Sequence, residues 1–229
     1  MNYFSFIPFE LFEQILPYLN KDELLSFLSF YDVKDDLNWN IIYSLHFYKS
    51  KRGVDYEIYI LWLSLEKLKE KLKLDYQLDD LINLKLLDLG NNNLTAIPEE
   101  IGDLINLQIL NLDNNKLTKV PKAIGKLRNL QILNLGNNKI TELPKEIGNL
   151  KNLQTLGLYR NKLTEIPKKT EQLTNLKILH LGNNELIKIP KEIASLSNLK
   201  ELNLYDNNEI NQSEVNKIRS LLPNTKIYY

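Results

Sequence analysis

One spacing governs this sequence. Leucine stands at Leu81, Leu104, Leu127, Leu150, Leu173 and Leu196, a step of 23 residues each time. The residues between keep step with it. The unit from Asn129 to Leu150 reads NLQILNLGNNKITELPKEIGNL, and the shared pattern is L-x-x-L-x-L-x-x-N-x-L-x-x-I-P-x-x-I-G. A unit this short cannot cover its own apolar face, so successive units must stack and bury one continuous core.

The columns of that pattern predict local structure. Leu133 and Leu135 alternate with Ile132, Asn134 and Gly136, and alternation over so few residues denotes a short half-buried strand. Strands centred on Leu87, Leu110, Leu133, Leu156, Leu179 and Leu202 are expected to pair in parallel, about 4.8 Å apart, in one concave sheet. An asparagine column, Asn92, Asn115, Asn138, Asn161, Asn184 and Asn207, falls where the chain turns inward after each strand. A buried amide there satisfies backbone groups of its own and the neighbouring coil, which would otherwise be orphaned. Leu94, Leu117, Ile140, Leu163 and Leu186 fill the turn. Ile97, Val120, Leu143, Ile166 and Ile189 each precede a proline: Pro98, Pro121, Pro144, Pro167 and Pro190. Proline removes a donor and fixes φ, which predicts an extended or 3₁₀ convex side rather than a full helix. Lys122, Lys145, Lys168 and Lys191 follow those prolines as a solvated convex edge.

The pattern resembles the typical-class leucine-rich repeat, over about two thirds of the chain. The resemblance implies an α/β solenoid, a horseshoe with a parallel concave sheet, that binds proteins. The ends of the array need covers. Ser213 is expected to open a C-terminal helix, Glu214–Leu222, with Val215, Ile218 and Leu222 on one face. Lys226–Tyr229 would add a last strand, and this ending resembles the terminal unit of some bacterial leucine-rich-repeat proteins.

The first eighty residues lack the period. They carry nine Lys and Arg against fourteen Asp and Glu, whereas residues 81–229 carry twenty against fifteen. Two separately composed modules explain this, and the formally neutral whole gives no cue for nucleic acid or an anionic membrane. The expected organisation is a helical segment over 1–50, a helical linker and N-terminal cap over 51–80, six repeat units over 81–210 and a C-terminal cap over 211–229. A long helix is predicted over Glu57–Leu74, with Leu61, Leu65, Leu68 and Leu72 on one stripe.

Ile7-Pro8-Phe9-Glu10-Leu11, then Ile15-Leu16-Pro17-Tyr18-Leu19 and Asp22-Glu23-Leu24, resembles an F-box. In that family the signature runs Leu-Pro-x-Glu-Leu, then Ile-Leu-x-x-Leu. Ile7 replaces the first Leu, and Asp35 and Asp36 stand where basic residues are usual before Trp39. The resemblance implies that Ile7, Pro8, Leu11, Ile15, Leu16 and Leu19 dock a Skp-type adaptor of a cullin ubiquitin ligase. A plain N-terminal cap is the other reading of the same helices. The 23-residue unit, rather than the longer Cys-bearing unit of eukaryotic F-box proteins, points to a bacterial protein acting in the cytoplasm of a eukaryotic cell. The opening residues lack the basic region of a signal peptide, and no apolar run is long enough to span a membrane.

Catalysis finds no footing in the sequence. There is no cysteine, and the two histidines are His46 and His180. Neither a Gly-x-Ser-x-Gly elbow nor a phosphate-binding Gly-x-x-x-x-Gly-Lys loop is present. No catalytic residue, cofactor or metal is expected, and the chain is expected to be monomeric by itself.

The concave face carries the candidate site. One outward column is Leu86, Ile109, Ile132, Thr155, Ile178, Glu201, an aliphatic row that serves either a partner or strand propensity. The next is Asp88, Asn111, Asn134, Gly157, His180, Asn203. A third, Gly90, Asp113, Gly136, Tyr159, Gly182, Tyr205, is followed by Asn91, Asn114, Asn137, Arg160, Asn183, Asp206. Tyr159, Arg160 and Tyr205 break the run of small residues, and Tyr and Arg are favoured at interface hot spots. With His180 on the strand between, the four side chains are expected to converge within about 10 Å, two strand spacings. The expected partner-binding residues are Tyr159, Arg160, His180, Tyr205, Asp206, Ile109, Ile132 and Ile178.

Overall fold

The computed structural model describes residues 54–76 and 78–229. The F-box-like segment, with Ile7, Pro8, Leu11, Ile15, Leu16 and Leu19, lies outside the described residues. Contacts divide the chain into two compact units, and the second, Ser64–Tyr229, contains the whole repeat array.

Seven strands form its sheet: β1 (Leu86–Asp88), β2 (Ile109–Asn111), β3 (Ile132–Asn134), β4 (Thr155–Gly157), β5 (Ile178–His180), β6 (Glu201–Asn203) and β7 (Lys226–Tyr228). They lie in chain order, and every pair is parallel. Leu87, Leu110, Leu133, Leu156, Leu179 and Leu202 stand side by side across the first six, each at most 1% exposed. The register follows from the period: a slip of one residue would turn every one of these leucines to solvent.

Opposite the sheet, each proline starts a five-residue 3₁₀ turn: Glu99–Asp103, Lys122–Lys126, Lys145–Asn149, Lys168–Gln172 and Lys191–Ser195. The prolines hold φ between −70° and −60° with extended ψ, the geometry their rings impose. Ile101, Ile124, Ile147 and Ile193 point inward from these turns. In the fourth turn Thr170 takes that place, 4% exposed, and its hydroxyl makes no hydrogen bond.

The asparagines bind the units in series. Asn138 donates from Nδ2 to Leu135 O (3.0 Å) and Gly136 O (2.9 Å) in its own unit, and to Leu112 O (3.0 Å) in the unit before. Its Oδ1 accepts from Leu117 N, again in the unit before, at 3.0 Å. Asn115, Asn161, Asn184 and Asn207 repeat the arrangement. Asn92, expected in the same buried column, is exposed, and its side chain donates to Gly90 O at 3.0 Å within its own unit. The reason is positional: the ladder reaches backward, and no repeat unit precedes Asn92. Leu94 beside it is only half-buried for the same reason.

Helix α1 runs over Val54–Leu72, against the expected Glu57–Leu74. Its second half buries Leu65, Leu68 and Leu72, followed by Leu74 and by Leu81 from helix α2 (Leu78–Ile82). Ser64 donates a hydrogen bond to Asp103, and Lys71 pairs with Glu100 at 2.6 Å. The ammonium holds the Glu100 carboxyl below the usual carboxylate range. At the other end, helix α3 (Gln212–Leu221) begins one residue before Ser213, which does not cap it. Asn211 does, accepting from Glu214 N at 3.0 Å, the preferred role of a side-chain oxygen at a helix start. Val215, Ile218 and Leu222 close the core. Thr225 Oγ1 donates to Leu199 O at 2.8 Å and Tyr229 Oη to Ile210 O at 2.6 Å. Among the described residues no helix is long and apolar enough to cross a membrane.

Candidate functional site

Because strand side chains alternate, the face of the sheet turned away from the core displays the residues between the leucines. Ile109, Ile132, Thr155 and Ile178 stand in register on β2–β5, all half-buried. Leu86, at the edge of the row, is 51% exposed. The aliphatic row is therefore a continuous surface strip, broken once by a hydroxyl.

Beside it runs a polar network. Asp88 Oδ1 accepts from Asn111 Nδ2 (2.8 Å) and Gly90 N (2.9 Å), and Asn111 Oδ1 accepts from Asp113 N (3.1 Å). The Asp113 carboxylate is held from two sides. Asn114 Nδ2 donates to Oδ2 at 2.9 Å and the Tyr159 hydroxyl to Oδ1 at 2.8 Å. To reach Asp113, the Tyr159 ring lies across Gly136. A Cβ added at Gly136 would sit 2.2 Å from Tyr159 Cε1 and 2.5 Å from Asp113 Oδ1, so only glycine leaves room for the crossing. Burial first, then the bond to the Asp113 carboxylate, pushes the Tyr159 phenol above its ordinary pKa of 10.0.

This corrects the expected convergence. Tyr159 leans toward the N-terminal end of the array, two units back. His180 leans the other way and meets Glu201 Oε1 on β6 at 3.0 Å. Columns read from sequence give the strand a side chain starts from, not the neighbour it reaches. Tyr205 stays 62% exposed. Arg160 and Asp206 are exposed and occupy the left-handed region, with φ of 51° and 58°. Asn91, Asn114, Asn137 and Asn183 share that conformation, which asparagine tolerates better than arginine does. Ile109, Ile132 and Ile178 form the strip, so the eight expected residues occupy one face without forming one cluster.

Sequence reasoning missed Asp113 and Glu201 as partners of Tyr159 and His180. The signal was the offset itself: each carboxylate lies within two units of an aromatic ring that can donate. A groove of about 840 Å³ lies elsewhere, lined by Thr95, Thr118, Val120, Glu142, Leu143 and Lys145 among others. Its Lys119–Glu142 pair, 3.7 Å apart, is exposed, where such pairs contribute little. Among the described residues no group of three His, Asp or Glu side chains is arranged to hold a metal ion.

The repeat geometry agrees with what the chain is similar to. A sequence profile described as "Leucine-rich repeat region" matches residues 58–139 and 122–223. No curated protein sequence matches significantly. Among solved structures, a leucine-rich-repeat protein of Leptospira interrogans is 45% identical over 70% of this chain, with a TM-score of 0.65. The functional domain of InlJ from Listeria monocytogenes, which includes a cysteine ladder, is 27% identical over 62% of the chain, with a TM-score of 0.53. The chain spans 39% of the first structure and 29% of the second. It contains no cysteine, so asparagine alone forms its ladder. The profile covers well over half of the sequence, and the chain belongs to the leucine-rich-repeat family.

Proposed function

We propose that the chain is a substrate-recruiting adaptor whose sheet face holds a target protein. One observation carries the binding half: an in-register aliphatic strip beside an exposed Tyr205 and Arg160. Apolar surface flanked by aromatic and guanidinium groups is the composition of binding hot spots. The other half rests on the resemblance of residues 7–24 to an F-box. In this reading Ile7, Pro8, Leu11, Ile15, Leu16 and Leu19 dock a Skp-type adaptor, and the protein acts in the cytoplasm of a eukaryotic host. The bacterial relatives support that origin.

Two experiments test the halves separately. Purified full-length chain is titrated with a purified Skp-type adaptor. Saturable binding at micromolar concentrations, lost in a Leu11→Asp, Leu16→Asp double variant whose melting temperature is unchanged, is expected. No binding by the unaltered chain leaves a recognition or scaffold solenoid with no ubiquitin link. For the target, proteins captured by the native chain are compared with those captured by Ile132→Asp, Tyr205→Ala and Lys145→Ala variants. A true target is lost with the first two and kept by the last. Loss with Lys145→Ala alone would put the binding surface on the opposite side.

A further inference from the structure

The sheet face contains a carboxylate site already filled by the protein itself, and a second copy of it without the carboxylate. The filled site is Asp113, held by Asn114 Nδ2 and by the Tyr159 hydroxyl across Gly136. Moving two units along replaces Asp113 by Tyr159, Asn114 by Arg160, Gly136 by Gly182 and Tyr159 by Tyr205. The backbone is the same in both places. Asn114 N bonds Gly136 O (3.1 Å) and Asn137 N bonds Tyr159 O (2.9 Å). Arg160 N bonds Gly182 O (2.9 Å) and Asn183 N bonds Tyr205 O (2.7 Å) in the second copy. Asn114 and Arg160 have φ of 55° and 51°.

What differs is the side chains. The Tyr159 ring is turned away to Asp113, so no carboxylate stands in the second copy where Asp113 stands in the first. Arg160 stands there in place of Asn114 and makes no ion pair with a described residue; Glu201, the acid on β6, is engaged by His180. Tyr205 does not lie down on its glycine. The three atoms nearest a Cβ at Gly182 belong to Asn203 and to the Tyr205 carbonyl, none to the Tyr205 ring. Its hydroxyl has no hydrogen-bond partner among the described residues. Two donors are present and the acceptor is absent; the floor is Gly182 with the Asn203 amide beside it, bonded to Tyr205 N at 2.9 Å, where the first copy has Gly157. An arginine fork in place of an amide also adds the charge that favours an anion.

We propose that Arg160, Gly182 and Tyr205 bind an Asp or Glu carboxylate on the target polypeptide, with Tyr205 closing over Gly182 as Tyr159 closes over Gly136. This rests on the reading of the sheet face as the protein-binding surface. The left-handed Arg160 fits it: the chain keeps a disfavoured residue where five units keep Asn or Asp.

The test is a titration of the isotope-labelled full chain with an acetylated, amidated pentapeptide, Gly-Ser-Glu-Ser-Gly, followed by NMR. A second titration uses the same peptide with Gln for Glu. The Arg160 side-chain Nε–H and the Tyr205 ring signals should shift and saturate with the Glu peptide alone. Arg160→Asn, read at Tyr205, and Tyr205→Phe, read at Arg160, should each weaken binding by about five- to tenfold. A crystal structure of Tyr159→Asp gives a second measurement. The introduced carboxylate should accept a hydrogen bond from the Tyr205 hydroxyl, and the Glu peptide should no longer shift Tyr205. Equal shifts of β4–β6 amides with both peptides would overturn the carboxylate site and keep the binding face. Absence of any shift at Arg160 and Tyr205 would overturn the site too, and the target-capture comparison then decides on the face.

Discussion

Tyr159 crosses Gly136 to place its hydroxyl 2.8 Å from Asp113, two units away. Burial penalises the phenolate, and the neutral phenol is the form that donates this bond, so the fold favours the protonated state and raises the pKa. With a folded pKa above the unfolded value of about 10, the contribution is complete below that pH. It is lost as pH rises through the folded pKa, because the native state then binds more protons than the unfolded state. Urea unfolding followed from pH 9 upward should therefore show the native chain losing stability faster than Tyr159→Phe. Parallel curves would mean that Asp113 does not hold the phenol. Gly136→Ala should expel the ring and bring the phenol titration back toward its ordinary range.

The asparagine ladder predicts unequal costs for one chemical change. Asn138→Ala leaves Leu117 N without its acceptor in the buried turn, while Leu112 O keeps Asn115 Nδ2, and the unpaired amide costs about 1–3 kcal/mol. Asn92→Ala removes one exposed bond and should stay within about 0.5 kcal/mol of the native value. Chemical denaturation of both variants checks this, and equal losses would contradict the backward reach of the ladder.

Thr170 is a place where a substitution should stabilise. Its buried hydroxyl has no partner, and the equivalent positions hold isoleucine. Thr170→Val keeps the shape and removes the unpaired group, for a gain of about 1 kcal/mol. An unchanged or lower denaturation midpoint would show that the hydroxyl is satisfied in solution.

Arg160→Asn sets stability against recognition. Asparagine tolerates the left-handed backbone that arginine resists, so the variant should gain about 0.5–1 kcal/mol. The same change removes the guanidinium and should weaken Glu-peptide binding. Thermal unfolding and the peptide titration on one sample measure both directions.

The fold was legible because its period repeats the same burial problem. Leu110 and Leu133 sit in the same slot because they are 23 residues apart, and the prolines announced the 3₁₀ turns. The site was legible only as columns. That Tyr159 folds back while His180 reaches forward depends on which carboxylate each finds, Asp113 or Glu201. Such a choice involves residues 46 and 21 positions away, beyond any local pattern. Asn92 likewise matches its column in sequence and departs from it because burial there depends on a neighbour.

That neighbour always comes from one side. Asn138, Asn161, Asn184 and Asn207 each complete the turn of the unit before them. During synthesis a unit therefore emerges with open backbone groups, and stays so until the following 23 residues leave the ribosome and close it. In the folded array the asparagines all point one way, each closing the coil on its amino-terminal side. In the C-terminal coil no such asparagine recurs, and the Thr225 and Tyr229 hydroxyls close the backbone instead, bonded to Leu199 O and Ile210 O.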